Sequence, residues 1–211
     1  MRILDAAKYL IGLSKPGTRY EITPKKLQKI LFYAQAWHLA KKGEPLFPNS
    51  PFQAWPHGPV NHLVYDSYRV FGYHPITIPN LEQPFLEEDK KKYLNTIWEI
   101  YGCYNADQLE ALTHNEDPWI KARKDLPYNV PSNEVITVKS MTVYYSGVLE
   151  KVKKGEWNCK VVNPQPRLEL LLDKEKPTAN PLLRFLGTWQ GDDFEECLQD
   201  VYKNRIEAKL N

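Results

Sequence analysis

The sequence predicts a mainly α protein: a single helical domain with minor short β elements, then a Pro-rich linker and a C-terminal amphipathic helix. Three observations lead there. Six stretches place apolar residues at helical spacing, several with a capping residue before them and a glycine after. Prolines gather after about residue 155, with Pro164, Pro166, Pro177 and Pro181 between Asn163 and Pro181. The chain as a whole has ordinary globular composition, 42% apolar and 26% charged over 211 residues with a net charge of +2.

The elements follow in order. From Ile3 to Leu13, apolar residues fall at Ile3, Ala6, Ala7 and Leu10, and Pro16-Gly17 ends that helix. In the next helix Thr23 is the N-cap and Pro24 stands at the first helical position, where its missing N–H costs nothing. Leu27, Ile30, Leu31, Ala34 and Trp37 line one face, and Gly43 is the stop. Near-continuous apolarity from Ile30 to Ala36 implies burial on more than one side. Gly43 to Pro59 reads as a loop in which Phe52 and Ala54 fit an edge strand or a turn.

Pro59 is expected to open a third helix with a buried stripe of Val60, Leu63, Val64, Ser67, Tyr68 and Phe71, closed by Gly72. A proline-rich loop covers 74–84. A helix from about Glu87 to Tyr101 and a short one from Asp107 to Thr113, capped by Asn105, follow. Val138 to Lys151 has strand-like composition but helical spacing, and the spacing is followed. Arg167 to Leu172 could make one strand. The last helix is capped by Asp192 or Asp193 and has an apolar face of Phe194, Cys197, Leu198, Val201, Tyr202 and Ile206. Residues 187–211 carry net −3 against +5 for the rest, marking the tail as a separate unit. The expected division is therefore 1–152, 153–186 and 187–211.

Several function classes are disfavoured. No apolar run reaches the ~18 residues of a membrane span, and no secretory signal is visible, so a soluble cytoplasmic protein is expected. Cys103, Cys159 and Cys197 form neither a disulfide framework nor a CxxC site. Phosphate-loop, dinucleotide, zinc-protease and serine-hydrolase motifs are missing. His57, His62 and His114 could converge with Asp117 on a metal, but half-buried hydrogen-bonding histidines are the simpler reading. Cys103 reads as buried and inert, and Glu116-Asp117 as a helix cap before Trp119. The lysine clusters Lys25, Lys26 and Lys29, Lys90 to Lys92, and Lys151, Lys153 and Lys154 read as solvated helix faces. A pI near 8.3 is too low for a nucleic-acid footprint.

Three stretches stop looking generic. The first runs Leu27-Gln28-Lys29-Ile30-Leu31-Phe32-Tyr33-Ala34-Gln35 and on to Gly43-Glu44-Pro45-Leu46-Phe47. The second is Ala54-Trp55-Pro56-His57-Gly58-Pro59-Val60. The third is Leu112-Thr113-His114-Asn115-Glu116-Asp117-Pro118-Trp119. Together they resemble the Panacea antitoxin domain, the family of SocA-like and GepA-like proteins, over roughly residues 1–152. Ile30 and Phe32 stand where the family more often has Leu and Tyr. The resemblance implies a prokaryotic antitoxin, often encoded beside its toxin on mobile elements, that neutralises it by complex formation. For SocA-like members it also implies delivery of the toxin to a cellular protease. It implies no enzyme activity, no catalytic residue and no cofactor. The motif residues Leu27, Gln28, Lys29, Trp55, His57, Gly58, Pro59, His114, Pro118 and Trp119 are read as fold-specifying. Gly58 permits a backbone geometry that a side chain would obstruct, and Trp55 is expected to pack under that turn.

The tail from Gly187 to Glu196, with Asn204-Arg205 beyond, resembles C-terminal tails of antitoxins that pair with ribonuclease-type toxins. The ~19-residue linker can span up to about 60 Å, enough to carry a helix around a partner. Trp189, Asp192, Asp193, Phe194, Leu198, Val201, Tyr202 and Arg205 are the expected partner-binding residues, with docking of the helix back on its own domain as the alternative.

Overall fold

The computed structural model describes residues 1–127 and 129–172. The expected terminal helix, with Trp189 through Arg205, lies outside the described residues. Among the described residues the protein is mainly α, with seven α-helices and one small sheet. The order is α1 (Ile3–Gly12), α2 (Pro24–Lys42), β1 (Phe52–Trp55), β2 (Gly58–Val60), α3 (His62–Tyr68), α4 (Glu88–Tyr101), α5 (Ala106–His114), α6 (Asp117–Arg123), β3 (Val135–Ile136) and α7 (Val138–Lys153).

Helix α2 organises the fold. The Thr23 hydroxyl accepts the Lys26 N–H, Pro24 opens the helix, and Gly43 ends it at φ 73°. Every residue from Lys26 to Leu39 is buried, because α1, α4, α5, α7 and the β1–β2 hairpin all pack around it. A helix enclosed on all sides loses its amphipathic pattern. Polar side chains on α2 therefore bond inward: the Gln35 Oε1 accepts the Phe47 N–H at 2.8 Å and so holds the buried Leu46-Phe47 turn. The spacing-based choice for α7 is correct, and Met141, Tyr145 and Leu149 are its buried stripe. Asn105 and Gln108 form a reciprocal capping box on α5.

Four expectations are corrected. Phe52 and Ala54 belong to the central strand of the order β2-β1-β3, not to an edge, because β3 pairs with the free side of β1. Pro59 opens no helix. It lies in the edge strand β2 opposite Ala54, where its lack of an N–H is tolerated, and α3 begins after Asn61 instead. Leu63 and Ser67 are exposed, so the buried face of α3 is narrowed to Val64 and Tyr68. Leu168–Leu171 is a 3-10 turn rather than a strand, with Leu168 and Leu171 buried in the same core as α4 and α7. Packing thus continues to Leu172.

Candidate functional site

The three motif stretches meet around the first turns of α2. The Gln28 amide bonds both backbone groups of one residue: Nε2 donates to the Asn61 carbonyl at 3.0 Å, and Oε1 accepts the Asn61 N–H at 2.8 Å. Asn61 in turn donates to the Pro51 carbonyl and caps α3 through the Val64 N–H. One helix turn therefore pins the exit of β2 and the start of α3.

Lys29 lies beside it, buried to 1% exposure, with Nζ donating to the Pro59 carbonyl at 3.2 Å. Gly58 stands over this side chain at φ 92°. A Cβ there would lie 2.6 Å from the Lys29 Cε and 2.8 Å from the Thr113 Oγ1. Burial pulls the Lys29 pKa down to about 7, against the opposing pull of Glu110. The expected solvated lysine face is thus corrected. Lys26 is also buried, and its Nζ donates to the carbonyls of Arg19 at 2.9 Å and Gly102 at 2.8 Å. These lysines serve carbonyls that the turning chain leaves without backbone partners, the use that justifies burying an amine. Lys25 alone keeps the surface role, paired with Asp107 and Glu110.

The third motif closes the other side. The His114 ring stacks on Trp119 at 3.9 Å and bonds the Pro56 backbone; burial lowers its pKa. The Trp119 indole N–H donates to the Trp55 carbonyl at 3.0 Å, and Pro118 is buried at the start of α6. Arg123 lies over the Trp119 ring and donates to the carbonyls of Ala54, Pro127 and Val130. The hairpin is thus gripped from α2 by Gln28 and Lys29, and from α5 and α6 by His114, Trp119 and Arg123. Trp55 uses its carbonyl in this clamp, while its half-buried ring packs on His62 and Tyr65 rather than under the turn. His57 is exposed at the hairpin tip, 3.1 Å from Glu110.

The histidines do not converge. His62 bonds Gln53, His57 bonds Glu110 and His114 lies on Trp119. Among the described residues, no three or more His, Cys, Asp or Glu side chains are grouped to hold a metal. Cys103 is half-buried rather than buried.

Glu116 is not the expected helix cap. It occupies the cap position of α6, but its carboxyl turns inward. Its Oε2 accepts the hydroxyls of Tyr145 at 2.7 Å and Tyr33 at 3.2 Å. Tyr33 stacks on Tyr101 at 4.0 Å, and the Tyr101 hydroxyl accepts the Trp37 indole N–H at 2.8 Å. Burial raises the Glu116 pKa to about 8, although both hydroxyls favour the charged form. Sequence reasoning missed this cluster and the role of Arg123. Tyr33 and Tyr145 stand 83 and 29 positions from Glu116, so no local spacing signals the contact.

The architecture defines a helical domain built on an enclosed central helix, whose motif residues mostly fasten one hairpin. Residues 27–120 match the family model described as antitoxin SocA-like, Panacea domain, so over that segment the likeness read from the motifs is shown. Antitoxin SocA of Caulobacter vibrioides (strain NA1000 / CB15N) is 32% identical over 107 residues, covering 44% of this chain and 55% of that protein. The chain thus spans about half the length of this curated relative. No solved structure matches. No helix among the described residues is long and apolar enough to cross a membrane.

Proposed function

We propose that this protein is an antitoxin that neutralises a cognate protein toxin by direct, non-catalytic binding in the cytoplasm. The observation that carries the proposal is the match of residues 27–120 to the antitoxin domain. The commitment of most motif residues to holding the fold supports it: Gln28, Lys29 and Trp119 bond backbone carbonyls of the hairpin and its exit, and the three histidines that a metal-centred reading would use bond separate partners. Residues 1–152 are the family domain, 153–186 the extension and 187–211 the part that contacts the toxin. In the tail, Trp189, Phe194, Leu198, Val201 and Tyr202 are the apolar anchors. Asp192, Asp193 and Arg205 supply its charged contacts.

The test is growth rescue. The adjacent open reading frame is expressed alone, with the full chain, and with the chain ended after Leu172, which retains the buried Leu168 and Leu171. Rescue by the full chain only is the expected result. Rescue by the shorter form moves the toxin contact onto the helical domain. A toxic neighbour rescued by neither form refutes the proposal for that pair.

A further inference from the structure

A chamber of about 190 Å³ opens where α2, α4, α5 and α7 meet the segment after α7. Its walls include Tyr33, Trp37, Tyr144, Tyr145 and Trp157, with the Glu116 carboxyl among them. Among the described residues the carboxyl is met by two tyrosine hydroxyls and by no cation. Both hydroxyls go to Oε2. Oε1 takes no protein hydrogen bond and is not sealed from solvent.

We propose that this chamber is a binding site for an organic ammonium group, whose charge meets Glu116 and whose carbon substituents meet the aromatic walls. A lone carboxylate in a ring-lined hollow attracts a cation, and the rings reward its hydrocarbon rim by dispersion and by ring-quadrupole attraction. A metal ion would need further hard ligands, and none are grouped here among the described residues. An anion would be repelled. The Tyr33 and Tyr145 hydroxyls already donate toward the carboxyl, so two donors that favour its charged form stand in place before the ligand arrives. The other titratable groups facing the chamber are Tyr101, Tyr144, Cys159 and the exposed Lys160, with Asp117 beside Glu116 in sequence. The site is independent of the antitoxin proposal.

Isothermal titration of the full chain with tetramethylammonium chloride at pH 8.5 tests it, with sodium chloride and tert-butanol as controls. Saturable one-to-one binding is expected for tetramethylammonium alone, weakened about tenfold or more in Glu116→Gln. Glutamine mimics the neutral acid, so this variant keeps the tyrosine contacts. Independently of any variant, affinity in the wild type should fall about tenfold per pH unit below about 8, because binding then requires loss of the Glu116 proton. A parallel titration with N-acetyl-trimethyllysine amide separates the sources. Equal affinity supports a polypeptide-borne ammonium, and binding of the free ion alone supports a small amine. Absence of saturable binding, or affinity independent of both Glu116 and pH, overturns the proposal.

Discussion

Replacing Gly58 by alanine tests the clamp where its tolerance is smallest. The backbone stands at φ 92°, and the added Cβ would lie 2.6 Å from the Lys29 Cε and 2.8 Å from the Thr113 Oγ1. Neither neighbour can move freely. Lys29 is enclosed at 1% exposure, and the Thr113 hydroxyl is fixed on the Glu110 carbonyl. Left-handed backbone in a residue with a side chain costs about 1–2 kcal/mol. Overpacking adds about 1–3 kcal/mol. If Lys29 is pushed from the Pro59 carbonyl, a buried polar group left unpaired adds about 1–3 kcal/mol more. The expected loss is about 3–8 kcal/mol by urea unfolding, read from the midpoint at unchanged m-value. Gly17→Ala is the control: φ is 75°, but nothing lies within 4 Å of the added carbon. It should cost only the backbone share, about 1–2 kcal/mol. In a Lys29→Ala background the Gly58→Ala cost should shrink, with a coupling energy of about 1 kcal/mol or more. Equal losses at Gly58 and Gly17, or additivity with Lys29→Ala, would refute the close approach as the cause.

Further predictions concern the interior charges and the end of the packed unit. Glu116 binds its proton more tightly folded than unfolded, so between pH 4.5 and about 8 the folded state holds more protons and stability falls as pH rises. Glu116→Gln removes this slope: its stability relative to wild type should grow by about 1.4 kcal/mol per pH unit across that window, and parallel curves would refute it. Lys29 has the opposite sign. Its folded pKa of about 7 lies below 10.5, so it adds stability as pH rises between them, and thermal melts of Lys29→Met should lack that gain. Arg123→Ala removes the guanidinium bonds to the carbonyls of Ala54, Pro127 and Val130, of which Pro127 keeps the Val130 N–H, and should cost about 1–3 kcal/mol by denaturant unfolding. Ending the chain at residue 160 removes Leu168 and Leu171 from the core and should lower stability by several kcal/mol. Ending it after Leu172 should leave a cooperative melt.

The limits of local reading show in particular residues. Thr23, Pro24 and Gly43 bounded α2 correctly, and Asn105 marked its helix, because caps act within four residues of themselves. The third helix was misplaced because Pro59 suits a helix start and an edge strand equally well, and the choice depends on β1 lying alongside. Lys26 and Lys29 followed the rule that lysines are solvated, which holds unless distant carbonyls await them.

The sequence by itself determined the helical class, most helix bounds and the motif set that resembles the antitoxin domain, since periodicity, caps and turn residues are local. Only the tertiary structure decided what those motif residues do. Gln28 and Lys29 reach partners some thirty positions away, and Trp119 reaches one 64 positions away. It also turned Glu116 from a cap into the acid of an aromatic chamber. A helix enclosed on every side offers its polar groups no water, so their roles are set by whichever segments pack around it.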